Sequence, residues 1–258
     1  MTTTSNRSYL TLLAGVVAVG LLLIGGLSLA IYYAVTDHPS TTAATDGVPA
    51  ADTALAVGVR DRIAAAPMLP TTPADATGGT PALGALPEIT IPLVAEVGPE
   101  GIPTGYPHTP EGSVGQLGEI LVSVLGSMDL AHAQRVQQAW FEDPTADGVW
   151  PVLGLIQSFL EAGRMPSGLD PAASLRVIPA AGQVKGSDGD DWHVACVLVE
   201  ITYTYRDQAR LAYGHCERMT WDGQRWLIAA GAHPVPGPST WPGTEQAVRA
   251  GWLTWRDA

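Results

Sequence analysis

The sequence is poor in basic residues, and this shortage limits the partners that the protein can bind. Its 258 residues include 13 lysines and arginines against 25 aspartates and glutamates, so the net charge is −12. Only one of the basic residues, Lys185, is a lysine. An acidic chain without a basic stripe repels phosphate backbones and anionic lipid surfaces. We therefore expect no direct binding of nucleic acid.

Residues that commonly hold metals or cofactors are also scarce. The two cysteines, Cys196 and Cys216, are too few for a disulfide-rich scaffold or a cysteine-based zinc site. Five histidines lie in predicted loops or at the ends of predicted elements, without the spacing of metal ligands: His38, His108, His132, His193 and His233. The chain also lacks a phosphate-binding loop and a nucleophile motif. We predict no metal site and no cofactor.

One long apolar run stands out near the start of the chain. Leu10–Val35 contains no charged residue and is bracketed by Arg7 and Asp37. A hydrocarbon core of roughly 30 Å needs about 20 helical residues, so this run predicts a transmembrane helix over residues 10–35. The alternative is a signal peptide cleaved after Ser28–Ala30. The run is longer than the roughly 7 to 15 apolar residues of such peptides and continues past that point, which favours a retained anchor.

The charges that flank this run predict its orientation. Arg7 and the amino terminus precede it, whereas Asp37, Asp46 and Asp52 follow it. The side with positive charge usually stays in the cytoplasm. We therefore expect a single-pass cell-membrane protein with a cytoplasmic tail of residues 1–9 and the rest of the chain outside the cytoplasm.

Residues 36–108 have the composition of a linker. They are rich in threonine, alanine, proline and glycine and contain no aromatic residue before Tyr106. Such a segment buries too little apolar surface to offset the entropy of ordering, so it predicts a disordered tether. The segment contains two apolar patches, and the sequence leaves open whether either of them docks on the domain or on a partner. One patch has helical spacing and the other alternates like a strand: Leu55, Val59 and Ile63, and Ile89, Ile91 and Leu93.

Residues 109–258 carry the pattern of an α+β domain. Capping and apolar spacing predict helices that begin near Thr109, Ser127 and Trp150, and a closing helix after Ser239, Thr240 and Pro242. Between them, alternation and turn residues predict a curved antiparallel sheet of four strands: 175–184, 192–205, 209–221 and 225–229. In the two long strands the odd-numbered positions are the apolar set. We expect this odd face to lie on the helices.

One polar pair falls on that face. His215 and Glu217 lie two residues apart on a predicted strand, with Tyr203 at the same parity. A buried carboxylate beside an imidazole can act as a general base, which makes these three residues candidates for a ligand-binding or acid–base site. The alternative is a hydrogen-bonded structural pair near the rim of the sheet. Without a nucleophile, metal spacing or phosphate loop, the pattern favours the structural interpretation, so we assign no catalytic residue.

The two cysteines fall on neighbouring predicted strands. If the hairpin turn is centred on Arg206, residues whose numbers sum to 412 face each other, and Cys196 then opposes Cys216. Opposed positions lie within the range that a disulfide spans. A turn centred one residue later would break this match. The sequence therefore leaves two alternatives, a disulfide or two packed thiols.

Four strings carry a resemblance to a known class of protein: Arg60–Leu69, Gly105–Gly112, Ala212–Glu217 and Ser239–Thr244. They resemble uncharacterised membrane proteins of conjugative elements in high-GC Gram-positive bacteria. The layout of tail, anchor, linker and domain is similar to that of bitopic assembly subunits of type IV secretion and conjugation machines. That resemblance implies a cone-shaped, nuclear-transport-factor-like outer domain that contacts other membrane and extracytoplasmic subunits, and itself as a homo-oligomer. It implies no catalytic residue.

Overall fold

The computed structural model describes residues 58–145, 149–165 and 168–258 of the protein. The predicted tail, the predicted anchor over residues 10–35 and the first part of the predicted linker lie outside these ranges. Within the described ranges, none of the helices has both the length and the apolar character that crossing a membrane requires.

The chain is α+β, with helices packed on a strongly curled, half-barrel sheet. Helices α1 to α5 are Val59–Ala65, Pro110–Ser127, Leu130–Trp140, Pro151–Ala162 and Glu245–Arg249. Strands β1 to β8 are Glu88–Ile91, Glu96–Val97, Pro103–Thr104, Ser174–Ser187, Trp192–Tyr205, Asp207–Trp221, Trp226–Ile228 and Leu253–Asp257. Strands β2 and β3 form a separate small hairpin.

The main sheet has six strands in the order β1-β8-β4-β5-β6-β7, so the prediction of four strands was wrong. The predicted four are β4 to β7. The added strand β1 comes from the predicted linker and pairs in parallel with β8, which comes from the predicted closing helix. That helix is short because Gly251 adopts a left-handed conformation (φ 83°), which ends helices.

The three helices that precede the sheet begin close to their predicted starts. Thr109 caps α2 by accepting a hydrogen bond from the Gly112 amide at 3.1 Å. Helix α3 is capped by Asp129 and not by Ser127, because α2 continues through Ser127. Helix α4 starts directly after Trp150, as predicted.

The long hairpin of β5 and β6 has the predicted inner face and, of the two registers that the sequence left open, the one centred on Arg206. Arg206 forms the turn in a left-handed conformation (φ 63°), and Cys196 pairs with Cys216. The odd-numbered residues of both strands pack with α2, α3 and α4 in one inner core, which includes Val114, Leu117, Leu121, Val136, Trp140, Trp150, Ile156, Ala195, Val197, Val199 and Met219.

The even face of the sheet is also buried, and the predicted linker helps to cover it. An outer core contains Ala64, Trp192, Val194, Cys196, Leu198, Cys216, Ala250 and Trp252, with Ile63 and Met68 packed against it. The prediction of a disordered tether was therefore wrong for residues 58–108. From the two apolar patches, Ile63 packs on the outer core and Ile89 and Ile91 join the inner core, whereas Val59 is half-exposed and Leu93 is exposed. The physical reason is that both apolar faces of the sheet must be covered.

Polar contacts fix α1 on this outer face. Lys185 Nζ donates to the carbonyl of Ala64 at 2.7 Å, and the Val235 amide donates to the same carbonyl at 3.0 Å. The buried guanidinium of Arg218 pairs with the half-exposed carboxylate of Asp61 at 2.8 Å. Further along, main-chain bonds hold the proline-rich segment, since the Ala212 amide donates to the carbonyl of Ala76. Composition alone does not reveal such main-chain bonds.

Candidate functional site

The predicted pair belongs to a chain of hydrogen-bonded side chains on the inner face of β6. His215 Nε2 lies 2.7 Å from Oε1 of Glu217. The Tyr213 hydroxyl lies 2.9 Å from the other ring nitrogen, Nδ1 of His215. All three residues have odd numbers on one strand, which puts their side chains on one face. The structure thus joins His215 and Glu217 and adds Tyr213.

Two residues from other elements complete the surroundings of Glu217. The indole N–H of Trp150, directly before α4, donates to Oε1 of Glu217 at 2.9 Å. His233, in the segment after β7, has Nδ1 3.7 Å from Oε2 of the same carboxylate. Glu217 is only 2% exposed. Burial alone would raise the pKa of Glu217, but hydrogen bonds and charge from His215 and His233 outweigh burial and lower it.

One arrangement of hydrogens satisfies the whole chain. The carboxylate of Glu217 accepts, so His215 carries a hydrogen on Nε2 and donates it. Nδ1 of His215, where it carries no hydrogen, then accepts from the Tyr213 hydroxyl. Burial, followed by the charge of Glu217, raises the pKa of Tyr213 and keeps that hydroxyl protonated. Each of the three side chains, Tyr213, His215 and Glu217, is therefore hydrogen-bonded to the next one.

Neither of two surface grooves reaches this row of side chains. One groove, of about 690 Å³, lies between β1 and the start of α2, where Ile89 and Glu111 line it. The other, of about 810 Å³, lies along α3, where Gln134 and Leu153 line it. Glu217 is instead in contact with the buried side chains of Trp150 and His215. A substrate at Glu217 would have to displace these side chains.

Tyr203, the third candidate from the sequence, does not join the pair. It opposes Ala209 in the hairpin, whereas Tyr213 opposes Val199 four residues away along β5. The Tyr203 ring packs edge-to-face on Phe159, with centroids 5.6 Å apart. Parity alone could have found Tyr213, which has the same parity and lies two residues from His215. No sequence signal links Trp150 or His233 to Glu217, because both come from other elements.

A second polar cluster, between α2 and α3, resembles a nucleophile with its base. Ser123 Oγ lies 2.8 Å from His132 Nε2, and His132 Nδ1 lies 3.7 Å from Glu100 Oε2. Arg135 also approaches, with a nitrogen 3.4 Å from His132 Nδ1. A guanidinium can only donate, so it favours the tautomer in which Nε2 carries the hydrogen and donates to Ser123. His132 in that state fastens α2 to α3 and is not placed to activate the hydroxyl.

The remaining predictions concern metals and the two cysteines. In the ranges that the structure describes, no group of three or more histidine, cysteine, aspartate or glutamate side chains is arranged to hold a metal ion. Cys196 and Cys216 are joined by a disulfide, with Cα atoms 4.0 Å apart. The disulfide lies in the outer core, where Cys216 Sγ is 3.7 Å from Met68 Sδ. It therefore sits beneath the segment that follows α1.

Comparisons of the chain with family models, with curated proteins and with solved structures found no match.

Proposed function

We propose that the protein is a membrane-anchored assembly subunit of a conjugation machine of the type IV secretion kind, acting through protein–protein contacts of its outer domain. The observation that carries this proposal is the filled inner face of the curled sheet. Tyr213, His215, Glu217 and Trp150 form one chain of hydrogen bonds, in that order, in the position where a cone-shaped enzyme would need an open pocket. The domain is therefore better suited to bind partner proteins on its surface than to bind a substrate in its interior.

The fold supports the resemblance on which this proposal draws. Helices α2, α3 and α4 precede strands β4 to β7 of the curled sheet and pack on its inner face. This is the layout of a nuclear-transport-factor-like cone, which we propose as the finer description of the domain. Two elements, β1 and α1, extend the layout by covering the edge and the outer face.

The compartment follows from the chemistry of the cysteines and from the apolar run. Disulfides persist in oxidising compartments outside the cytoplasm. A disulfide between Cys196 and Cys216 thus supports a domain beyond the membrane. The uncharged run Leu10–Val35 supplies the anchor in this proposal. With a net charge of −12, the partners are other membrane and extracytoplasmic subunits, and further copies of this chain, and not DNA itself.

The second candidate function is a small-molecule-binding or acid–base enzyme domain that uses His215 and Glu217. One observation favours it: the side chain of His233, next to Glu217, is 27% exposed and connects the carboxylate to the surface. In such an enzyme Glu217 would accept a proton from a bound molecule, and His233 would pass it to solvent.

The two functions are distinguished by crosslinking in cells that carry the conjugative element, followed by affinity capture of the full-length chain. The assembly proposal expects subunits of the transfer machine, enriched over a capture from cells that express an unrelated single-pass membrane protein. It also expects the same set with Glu217→Gln. Capture of no machine subunit would contradict the proposal.

A further inference from the structure

Strand β1 forms one border of the six-stranded sheet, and none of the described strands pairs with its outer edge. The Thr254 amide donates to the carbonyl of Pro87 at 2.8 Å, and the Ala258 amide donates to that of Ile91 at 3.0 Å. In a parallel strand, the main-chain N–H and C=O groups of every second residue point towards the same neighbouring strand. The main-chain N–H and C=O groups of Glu88 and Thr90 therefore face away from β8. Both residues are exposed.

A groove adjoins this edge on the helix side of the sheet. Its floor is apolar and is formed by Ile89, Val184 and Leu253, and prolines of the α2 start, Pro107 and Pro110, form one wall. Beyond β1, the side chain of Leu93 is 71% exposed. A strand added to β1 would place every second side chain next to Ile89, over this floor.

The described residues that line the groove carry charge of one sign. Of the described residues that line it, Glu88 and Glu111 are acidic and none is basic. Arg256, on β8, pairs with Glu88 through two contacts to Oε1 of that carboxylate. The exposed carboxylate of Glu111 adds a negative charge to the groove lining, which attracts a cation. A second copy of the chain also carries −12, and repulsion between like net charges disfavours it as the occupant of this groove.

We propose that the free edge of β1 and the adjoining groove form a strand-addition site for an extended segment of a partner protein in which basic and apolar side chains alternate. Main-chain bonds to Glu88 and Thr90 supply affinity, and the groove selects the alternate side chains. The inference rests on the proposed function, because it names the kind of partner that one contact of the domain accepts.

Two substitutions of Thr90 separate the effect of its outward main-chain N–H from the effect of its side chain. Thr90→Pro removes an N–H that faces outward, so it blocks strand addition without removing a bond to β8. Thr90→Val is the matched control, because it also removes the hydroxyl but keeps the N–H and the branched side chain. Neither changes the charge.

The test measures binding of a fluorescent peptide to the purified full-length chain in detergent by fluorescence anisotropy. The probe is a peptide of about ten residues in which arginine and valine alternate, and the control peptide has glutamate in place of arginine. We expect wild type and Thr90→Val to bind the arginine peptide, and Thr90→Pro to bind it about ten-fold more weakly. The glutamate peptide should not bind.

A second measurement avoids any effect of proline on folding. Two further arginine–valine peptides carry N-methyl groups, one on every arginine and the other on every valine. Only one edge of an added strand faces β1, so one methylated peptide should lose binding and the other should keep it.

Three results would overturn the proposal: no binding of the arginine peptide, equal binding to the Pro and Val variants, or equal loss with both methylated peptides. A peptide-free dimer of wild type that Thr90→Pro dissociates would assign the edge to a second copy instead. These readouts use purified protein, so they can fail while machine subunits are still captured in cells, and the reverse also holds.

Discussion

The indole nitrogen of Trp150 and the carboxylate of Glu217 are joined by a 2.9 Å hydrogen bond across the inner face of the sheet. Trp150 is fully buried and Glu217 nearly so. This contact connects the start of α4 to the middle of β6, a separation of 67 residues. It makes Glu217 part of the packing between the helices and the sheet.

Removing both His215 and Glu217 should cost less stability than the sum of the two single losses. His215→Ala leaves the Glu217 carboxylate buried without its nearest donor, for which we expect a loss of about 3 kcal/mol in the free energy of unfolding. Glu217→Gln, which removes the charge, should cost about 1 to 3 kcal/mol. The double variant should lose less than the sum, because both changes remove the same contact. Urea denaturation of all four proteins measures this coupling, and strict additivity would contradict a direct bond between the two side chains.

Acid should weaken the fold through Glu217. Its pKa is lowered in the folded state relative to the ordinary value of 4.5, because the contacts with His215 and His233 outweigh the cost of burial. A carboxylate with a lowered pKa contributes stability above its ordinary pKa, and that contribution is lost as the pH falls towards the folded-state pKa. Unfolding free energy should therefore fall more steeply in wild type than in Glu217→Gln between about pH 5 and about pH 3. Parallel pH profiles would show that the carboxylate is not stabilised in this way.

Local sequence signals predicted those features whose structure is determined by residues close by in the sequence. The cap at Thr109 and the start of α4 after Trp150 are short-range features, and both are confirmed. Of the two hairpin registers that the sequence left open, the structure has the one centred on Arg206. The roles of β1 and β8 were missed because each strand is stabilised by the other, far along the chain. The carboxylate contacts of Trp150 and His233 were missed for the same reason.

Docking of residues 58–69 on the outer face predicts where the folded unit begins. A chain that starts at Gly58 should be soluble and unfold cooperatively. One that starts at Gly105 lacks both α1 and β1 and exposes the outer core around Trp192 and Cys196. We expect it to aggregate or to lose cooperative unfolding.

Comparing the two chains by circular dichroism melting and sedimentation tests this boundary. A matched control is the chain from Gly58 with Val59→Ser, which changes a half-exposed residue of α1 without removing the helix. Equal stability of the chains that start at Gly58 and Gly105 would show that residues 58–104 are a tether that does not stabilise the domain.

The disulfide should be formed in the exported protein and should stabilise it. Closing a loop of 20 residues contributes roughly 3 kcal/mol in the chain-entropy model, so replacing both Cys196 and Cys216 with alanine should cost about that much. Both cysteines are buried beneath the segment that contains Met68, so reductant should act slowly on the folded protein. Intact-mass measurement after alkylation with and without reductant checks the bond. Two alkylated thiols in the unreduced, exported protein would contradict it.

The central claim is that the protein serves DNA transfer through its surface, while Glu217 only supports the fold. The most direct test is a mating assay in donor cells from which the gene has been deleted, complemented with wild type or with Glu217→Gln at matched abundance in the membrane. The account predicts that deletion abolishes transfer and that both proteins restore it to the same frequency. Unchanged transfer after deletion, or failure of a folded, equally abundant Glu217→Gln protein to restore it, would contradict the account.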